Sequence, residues 1–84
     1  MKNRILKFET DSCVVCRMIQ KIIDTLDVSV ERINDADNFD TFEKYNVISV
    51  PTFIEIDKDG KEISRLSGDV TPASVKRWFA AIQG

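Results

Sequence analysis

The sequence contains no histidine, only two cysteines and two prolines, and no long apolar run. Without histidine the chain cannot build a Ser-His-Asp or Cys-His nucleophile, nor a zinc site that mixes cysteine with histidine. No stretch approaches the ~20 consecutive apolar residues that cross a bilayer, and the N-terminus lacks the apolar segment of a signal peptide. We therefore expect a cytoplasmic protein with no membrane partner, whose chemistry uses thiols, carboxylates, lysine or tyrosine.

A large excess of charge of one sign is also missing. Twelve Lys and Arg residues stand against fourteen Asp and Glu residues, and the net charge is −2. Without a basic cluster to neutralise phosphates, nucleic acid is a poor partner. The length of 84 residues, with 43% hydrophobic and 31% charged residues, predicts a single folded domain spanning 1–84, which we expect to be a monomer.

Hydrophobic periodicity predicts seven secondary-structure elements. They are a strand at 3–8, a helix from Val15 capped by Asp11 or Ser12, a strand at 28–34, a short helix near 39–46, a strand at 52–56, a return strand at 61–67, and a closing helix that starts at Pro72 after a Thr71 cap. The order β-α-β-α-β-β-α predicts an α/β fold. Strand-helix-strand units place the first strands parallel and the hairpin adds an antiparallel edge, giving a four-stranded mixed sheet flanked by helices.

The two cysteines form a C-x-x-C motif, Cys13 to Cys16, at the start of the first helix. At this spacing on a helix start, the two sulfurs can approach within bonding distance. Cys13 meets the unpaired amides and the positive end of the helix dipole, which lower the pKa of a thiol. We therefore predict Cys13 as the attacking thiolate and the more shielded Cys16 as the resolving cysteine.

The spacing alone leaves two other interpretations open. A C-x-x-C pair is half of a structural zinc site, but one chain supplies too few ligands, so zinc would require a dimer. The second alternative is a pair of inert, buried thiols. We expect no metal and no cofactor.

Further residues carry a resemblance. Cys13-Val14-Val15-Cys16 after a strand, Val50-Pro51-Thr52 before the next strand, and glycines 60 and 68 around a hairpin resemble the thioredoxin/glutaredoxin superfamily, in its minimal, glutaredoxin-sized version. The resemblance covers nearly the whole chain and implies a thioredoxin-like fold with a cis peptide bond before Pro51. It also implies that the backbone of Val50 docks an extended substrate peptide, with Ser12 beside the same groove. Gly68 either lets the backbone approach this groove or is a plain turn glycine.

The sequence departs from the thioredoxin pattern at the motif itself. Ser12 replaces an aromatic residue, and Val14-Val15 replaces Gly-Pro, at positions whose residues tune the redox potential of the cysteine pair. Six residues before Cys13, where thioredoxins bury an acid that assists the resolving cysteine, this sequence has Lys7. An ammonium would favour a thiolate rather than accept its proton. The alternative is a strand lysine whose charged end reaches solvent.

These features predict a thiol-disulfide oxidoreductase that reduces protein disulfides by dithiol exchange. The reductant would be a thioredoxin-reductase-like flavoenzyme or glutathione. A glutaredoxin-type, glutathione-linked reductase is an alternative, with Arg17 and Arg32 as candidate anion contacts, although Ser67-Gly68-Asp69-Val70 matches the glutathione-binding pattern only in part. A non-catalytic peptide-binding module on the same fold is another alternative.

Overall fold

Residues 3–83 are described by a computed structural model, and their elements follow the predicted order β-α-β-α-β-β-α. The elements are β1 (Arg4–Glu9), α1 (Val14–Ile23), β2 (Glu31–Asn34), α2 (Phe39–Lys44), β3 (Thr52–Ile56), β4 (Glu62–Leu66) and α3 (Pro72–Gln83). The predicted domain 1–84 includes Met1, Lys2 and Gly84, which lie outside the described residues. Among residues 3–83, no helix is long and apolar enough to cross a membrane.

The strands form one mixed sheet in the order β2-β1-β3-β4. Strand β1 pairs parallel with β2 and antiparallel with β3, and β3 pairs antiparallel with β4. The predicted mixed topology is therefore confirmed. Strand β2 is shorter than the predicted strand at 28–34, because Val28 and Val30 pack against the core from the connecting segment before it.

Two apolar clusters cover the two faces of the sheet. Helices α1 and α3 bury one face, in the cluster Ile5, Ile19, Ile23, Phe53, Val75 and Phe79. The other face carries the cluster Leu6, Phe8, Tyr45, Ile54 and Ile56, with Phe42 of α2 packed against it. Because successive side chains of a strand point to opposite faces, Lys7 and Glu9 share the α1 face with Ile5.

The closing helix α3 begins as the sequence predicts. The Ser74 amide donates to Thr71 Oγ1 at 3.1 Å, and the Thr71 amide donates to Ser74 Oγ at 2.8 Å. This reciprocal pair satisfies two of the amides that a helix start leaves unpaired. The start of α1 is built differently, and it carries the cysteine pair.

Candidate active site

The two cysteines lie at the N-terminus of α1 and are joined by a disulfide, with 5.2 Å between their Cα atoms. Cys13 is partly exposed, whereas Cys16 is 2% exposed and belongs to the buried face of α1. The sequence predicted this separation of an outer and an inner sulfur.

The cap of α1 corrects one prediction. Neither Asp11 nor Ser12 caps the helix; the N-cap is Cys13, whose Sγ accepts a hydrogen bond from the Cys16 amide at 3.1 Å. The reason is that β1 continues to Glu9 and the chain then turns tightly, with the Cys13 amide donating to the Thr10 carbonyl at 3.2 Å. The Asp11 carboxylate instead accepts from Asn34 Nδ2 at 2.7 Å.

The peptide bond between Val50 and Pro51 is cis, as the resemblance implied. It immediately precedes β3, whose first residue, Thr52, lies opposite Phe8 near the end of β1. The chain leaving β1 leads directly to Cys13, so the proline and the cysteine pair occupy the same end of the sheet. Val50 and Thr10 line one groove of about 470 Å³ at this end.

The other two predicted substrate-contacting residues are exposed. Ser12 lies in the turn before α1, and Gly68 follows β4 at the same end of the sheet. Gly68 has a φ of +79°, and a Cβ added there would meet no atom within 4 Å. The backbone conformation, rather than a close approach of another group, therefore explains this glycine.

Lys7 is buried directly beneath Cys16, so the alternative in which its charged end reaches solvent is wrong. Its side chain is 0% exposed, and Nζ donates to Glu9 Oε1 at 2.7 Å, to the Cys16 carbonyl at 2.9 Å and to Gln20 Oε1 at 3.0 Å. Burial lowers the pKa of Lys7, and the hydrogen bond to Glu9 acts against that change.

Glu9 and Arg32 complete a charged cluster that the sequence did not reveal. Arg32 Nε donates to both carboxylate oxygens of Glu9, at 3.2 and 3.1 Å. Burial alone would raise the pKa of Glu9, but the hydrogen bonds from Arg32 and Lys7 outweigh it, and the pKa is lowered. A small cavity of about 90 Å³ is lined by Glu9, Arg32 and Cys16, among others, so the cluster faces the inner cysteine.

A metal centre has no comparable support. Within the described chain, histidine, cysteine, aspartate and glutamate side chains form no group of three or more that could hold a metal ion.

The fold and this site together define the class of protein. A cysteine pair at a helix start, a cis-proline before the adjacent strand and a four-stranded mixed sheet between helices are the features of a thioredoxin fold. The family model described as a thioredoxin-like domain matches residues 2–83, and the chain belongs to this family.

Individual relatives agree with this assignment. The chain is 35% identical over 69 residues to a protein named thioredoxin from Chlamydia pneumoniae, covering 76% of this chain and 67% of that protein. Among solved structures, Fasciola hepatica thioredoxin superposes with a TM-score of 0.81 at 26% identity, covering 95% of this chain and 80% of that one. Thioredoxin 1 from Thermosipho africanus TCF52B gives 0.66 at 27% identity, covering 96% and 99%. Together with the Cys13–Cys16 pair, these relatives support thiol-disulfide oxidoreductase activity.

Proposed function

We propose that this protein reduces protein disulfides by dithiol exchange, with Cys13 as the attacking thiolate and Cys16 as the resolving cysteine. The observation that carries the proposal is the asymmetry of the pair. Cys13 is the accessible sulfur and accepts a hydrogen bond from the Cys16 amide, which favours its anionic form. Cys16 is buried on the inner side and is bonded to Cys13, so Cys13 is the sulfur that an external disulfide meets first.

The reaction proceeds in two exchanges. The Cys13 thiolate attacks one sulfur of the substrate disulfide, and the other substrate sulfur leaves as a thiolate with the bonding electron pair. The Cys16 thiolate then attacks Cys13, forming the intramolecular disulfide and releasing the second substrate sulfur. The substrate gains two electrons and the cysteine pair loses two, while the released thiolates take up protons from water.

Substrate docking is proposed at the end of the sheet where Val50 and Pro51 precede β3, with Ser12 and Gly68 at its margins. Apolar side chains support a peptide-binding role for this region. Ile48 is 92% exposed, and it lines the groove of about 470 Å³ together with Phe39, Phe42, Val47 and Val50. Between the two cysteines, Val14 and Val15 are also exposed. An extended segment with apolar residues beside its cysteine would fit this surface.

The oxidised cysteine pair needs a reductant. We propose that this reductant is a thioredoxin-reductase-like flavoenzyme rather than glutathione. The two arginines that could attract an anionic tripeptide are already engaged. Arg17 donates to the Asp11 carbonyl at 2.7 Å, and Arg32 is held by Glu9. We further propose a single-domain monomer acting in the cytoplasm, where a reducing environment suits a reductase.

The direct test is reduction of insulin disulfides by the wild type and by the Cys13→Ser and Cys16→Ser variants. We expect both variants to lose turnover, because each removes one of the two sulfurs that the cycle needs. Only Cys16→Ser should accumulate a mixed disulfide with the substrate, since it retains the attacking sulfur and lacks the resolving one. Accumulation with Cys13→Ser instead would reverse the roles.

Equal activity in all three proteins would overturn the enzymatic proposal. In that case a non-catalytic binding module would remain, and alkylating both thiols should leave its affinity for peptide unchanged. Comparing turnover with thioredoxin reductase and NADPH against turnover with glutathione would test the proposed reductant.

A further inference from the structure

The buried Lys7 carries a charge that the exchange mechanism above does not use. Its three acceptors are Glu9 Oε1, Gln20 Oε1 and the carbonyl of Cys16. An ammonium has three N–H donors, whereas a neutral amine has one fewer, so the set of partners matches the protonated form. The structure thus holds a positive charge, removed from solvent, against the residue that carries the inner sulfur.

The distance from this charge to the sulfur is limited by covalent geometry. Lys7 Nζ lies 2.9 Å from the Cys16 carbonyl oxygen. The sulfur belongs to the same residue and lies at most about 5 Å from that oxygen by standard bond lengths and angles, so it is within about 8 Å of Nζ. Cys16 is 2% exposed and Lys7 is 0% exposed, and screening by salt and water is therefore weak between them.

Building on the exchange chemistry proposed above, we propose that the Lys7 ammonium stabilises the thiolate of reduced Cys16, and that the Glu9 carboxylate opposes it. When a thiolate of the reductant attacks Cys13, the Cys13–Cys16 bond breaks and Cys16 departs with the bonding electron pair. The nearby ammonium lowers the energy of this anion. The same interaction keeps a larger fraction of Cys16 ionised for the resolving step.

Other charged groups surround Lys7 and Cys16, and their exposure determines how strongly each acts on the Cys16 thiolate. Facing Lys7 are Glu9, which it contacts directly, Arg32 behind Glu9, and Asp24, which accepts from Gln20 Nε2 at 2.9 Å. Asp11 and Arg17 line the small cavity beside Cys16. Asp11, Arg17, Asp24 and Arg32 are all exposed, so solvent screens them. Among these groups only Lys7 and Glu9 are buried, so they should have the largest effect on the acidity of Cys16.

The proposal predicts opposite effects from removing the two charges. The experiment follows the ultraviolet absorbance of the Cys16 thiolate against pH in a Cys13→Ser background, where Cys16 is the only thiol. Lys7→Met, which replaces the ammonium by an apolar side chain of similar length, should make Cys16 a roughly thirtyfold weaker acid, as expected for unit charges about 8 Å apart at an effective dielectric constant of about 20. Glu9→Gln should make it a stronger acid.

Glu31→Gln is the matched control, because it removes the same charge from an exposed arginine–glutamate pair between the same two strands. It should leave the acidity of Cys16 unchanged. Shifts in the same direction for Lys7→Met and Glu9→Gln, or no shift in either, would overturn the proposal. A purely structural role would lower stability in both variants without producing shifts of opposite sign. Should Lys7→Met fail to fold, Glu9→Gln still tests the sign.

The redox potential gives a second readout in the protein with both cysteines. Equilibration with glutathione should show a more reducing potential for Lys7→Met and a more oxidising one for Glu9→Gln, because stabilising the thiolate favours the reduced form. The acidity measurement requires no turnover. If the acid shifts are opposite in sign but the wild type fails to reduce insulin, the role of Lys7 is upheld and only the proposed function is overturned.

Discussion

Two arginine–glutamate pairs join β1 to the first two residues of β2, one at each end of β1, and they differ mainly in their surroundings. At one end Arg4 donates two hydrogen bonds of 2.6 Å to Glu31, with both side chains largely in water, at 59% and 44% exposure. At the other end Arg32 contacts Glu9 at the longer distance of 3.0 Å, but Glu9 is only 10% exposed and also holds Lys7.

The comparison shows that burial, rather than hydrogen-bond length, determines what an ion pair contributes here. Water competes for the charges of Arg4 and Glu31, so their short contacts add little. Glu9 has lost most of its hydration, and the Lys7 ammonium and the Arg32 guanidinium replace it. The buried pair is therefore sensitive to the loss of any partner, and it lies beside the cysteine whose charge changes during the reaction.

Removing the buried carboxylate should have the largest effect on stability. Glu9→Ala leaves the Lys7 ammonium buried without a counter-charge, and we expect it to lower the free energy of unfolding by about 3 kcal/mol. Glu31→Ala should have an effect no larger than that of an ordinary surface substitution. Urea unfolding of both variants in their reduced forms measures the difference, and equal losses would contradict the comparison.

Removing the outer cation should have a smaller effect. Arg32→Ala leaves Glu9 with its hydrogen bond from Lys7, and the Arg32 side chain is itself 54% exposed. We expect a loss of about 1 kcal/mol, measured by the same urea titration. A loss as large as that of Glu9→Ala would mean that Arg32, rather than Lys7, is the essential partner of the carboxylate.

Acid should weaken the buried pair. The pKa of Glu9 in the folded protein lies below its ordinary value of 4.5, so the folded state binds its proton less readily than the unfolded state does. Its contribution to stability is present above pH 4.5 and is lost as the pH falls through the folded pKa. The stability of the wild type should therefore approach that of Glu9→Gln in acid. A constant difference between their unfolding free energies across this range would refute the assignment.

Salt should produce the smallest effect, and it should distinguish the exposed arginine–glutamate pair from the buried one. Added sodium chloride screens the exposed Arg4–Glu31 pair, so the stability difference between wild type and Glu31→Gln should shrink. The difference between wild type and Glu9→Gln should persist, because the buried charges are screened less. Both differences are measured by thermal or urea unfolding over a series of salt concentrations.

Most of the architecture could be predicted from the sequence because it depends on local patterns. Apolar spacing located α1, Thr71 and Pro72 marked the start of α3, and the turn residues at 57–60 indicated the β3–β4 hairpin. The boundaries were less accurate where tertiary packing decides them. The predicted second strand includes Val28 and Val30, whose apolar side chains fit a strand pattern but pack on the core before β2 begins.

The charged part of the site could not be predicted in the same way. Lys7 and Glu9 are polar residues that alternate with Leu6 and Phe8, which is the pattern of a strand with one face in water. Helix α1 covers that polar face, and this long-range placement buries Lys7. The strand predicted at 3–8 stops one residue short of Glu9, where β1 ends, for the same reason. A sequence signal did exist, since Ile5 precedes both charges on the same face and indicates that this face is covered.

The sulfur that caps α1 has a consequence for the mechanics of the protein. Cys13 is at once the proposed reacting atom and the acceptor that secures the first turn of the helix. The hydrogen bond is present while Cys13 is joined to Cys16 in the disulfide, and a free Cys13 thiolate would be a stronger, charged acceptor for the same amide. Reduction should therefore secure the beginning of the helix more firmly, and amide hydrogen exchange at Cys16 should be slower in the reduced protein than in the oxidised one.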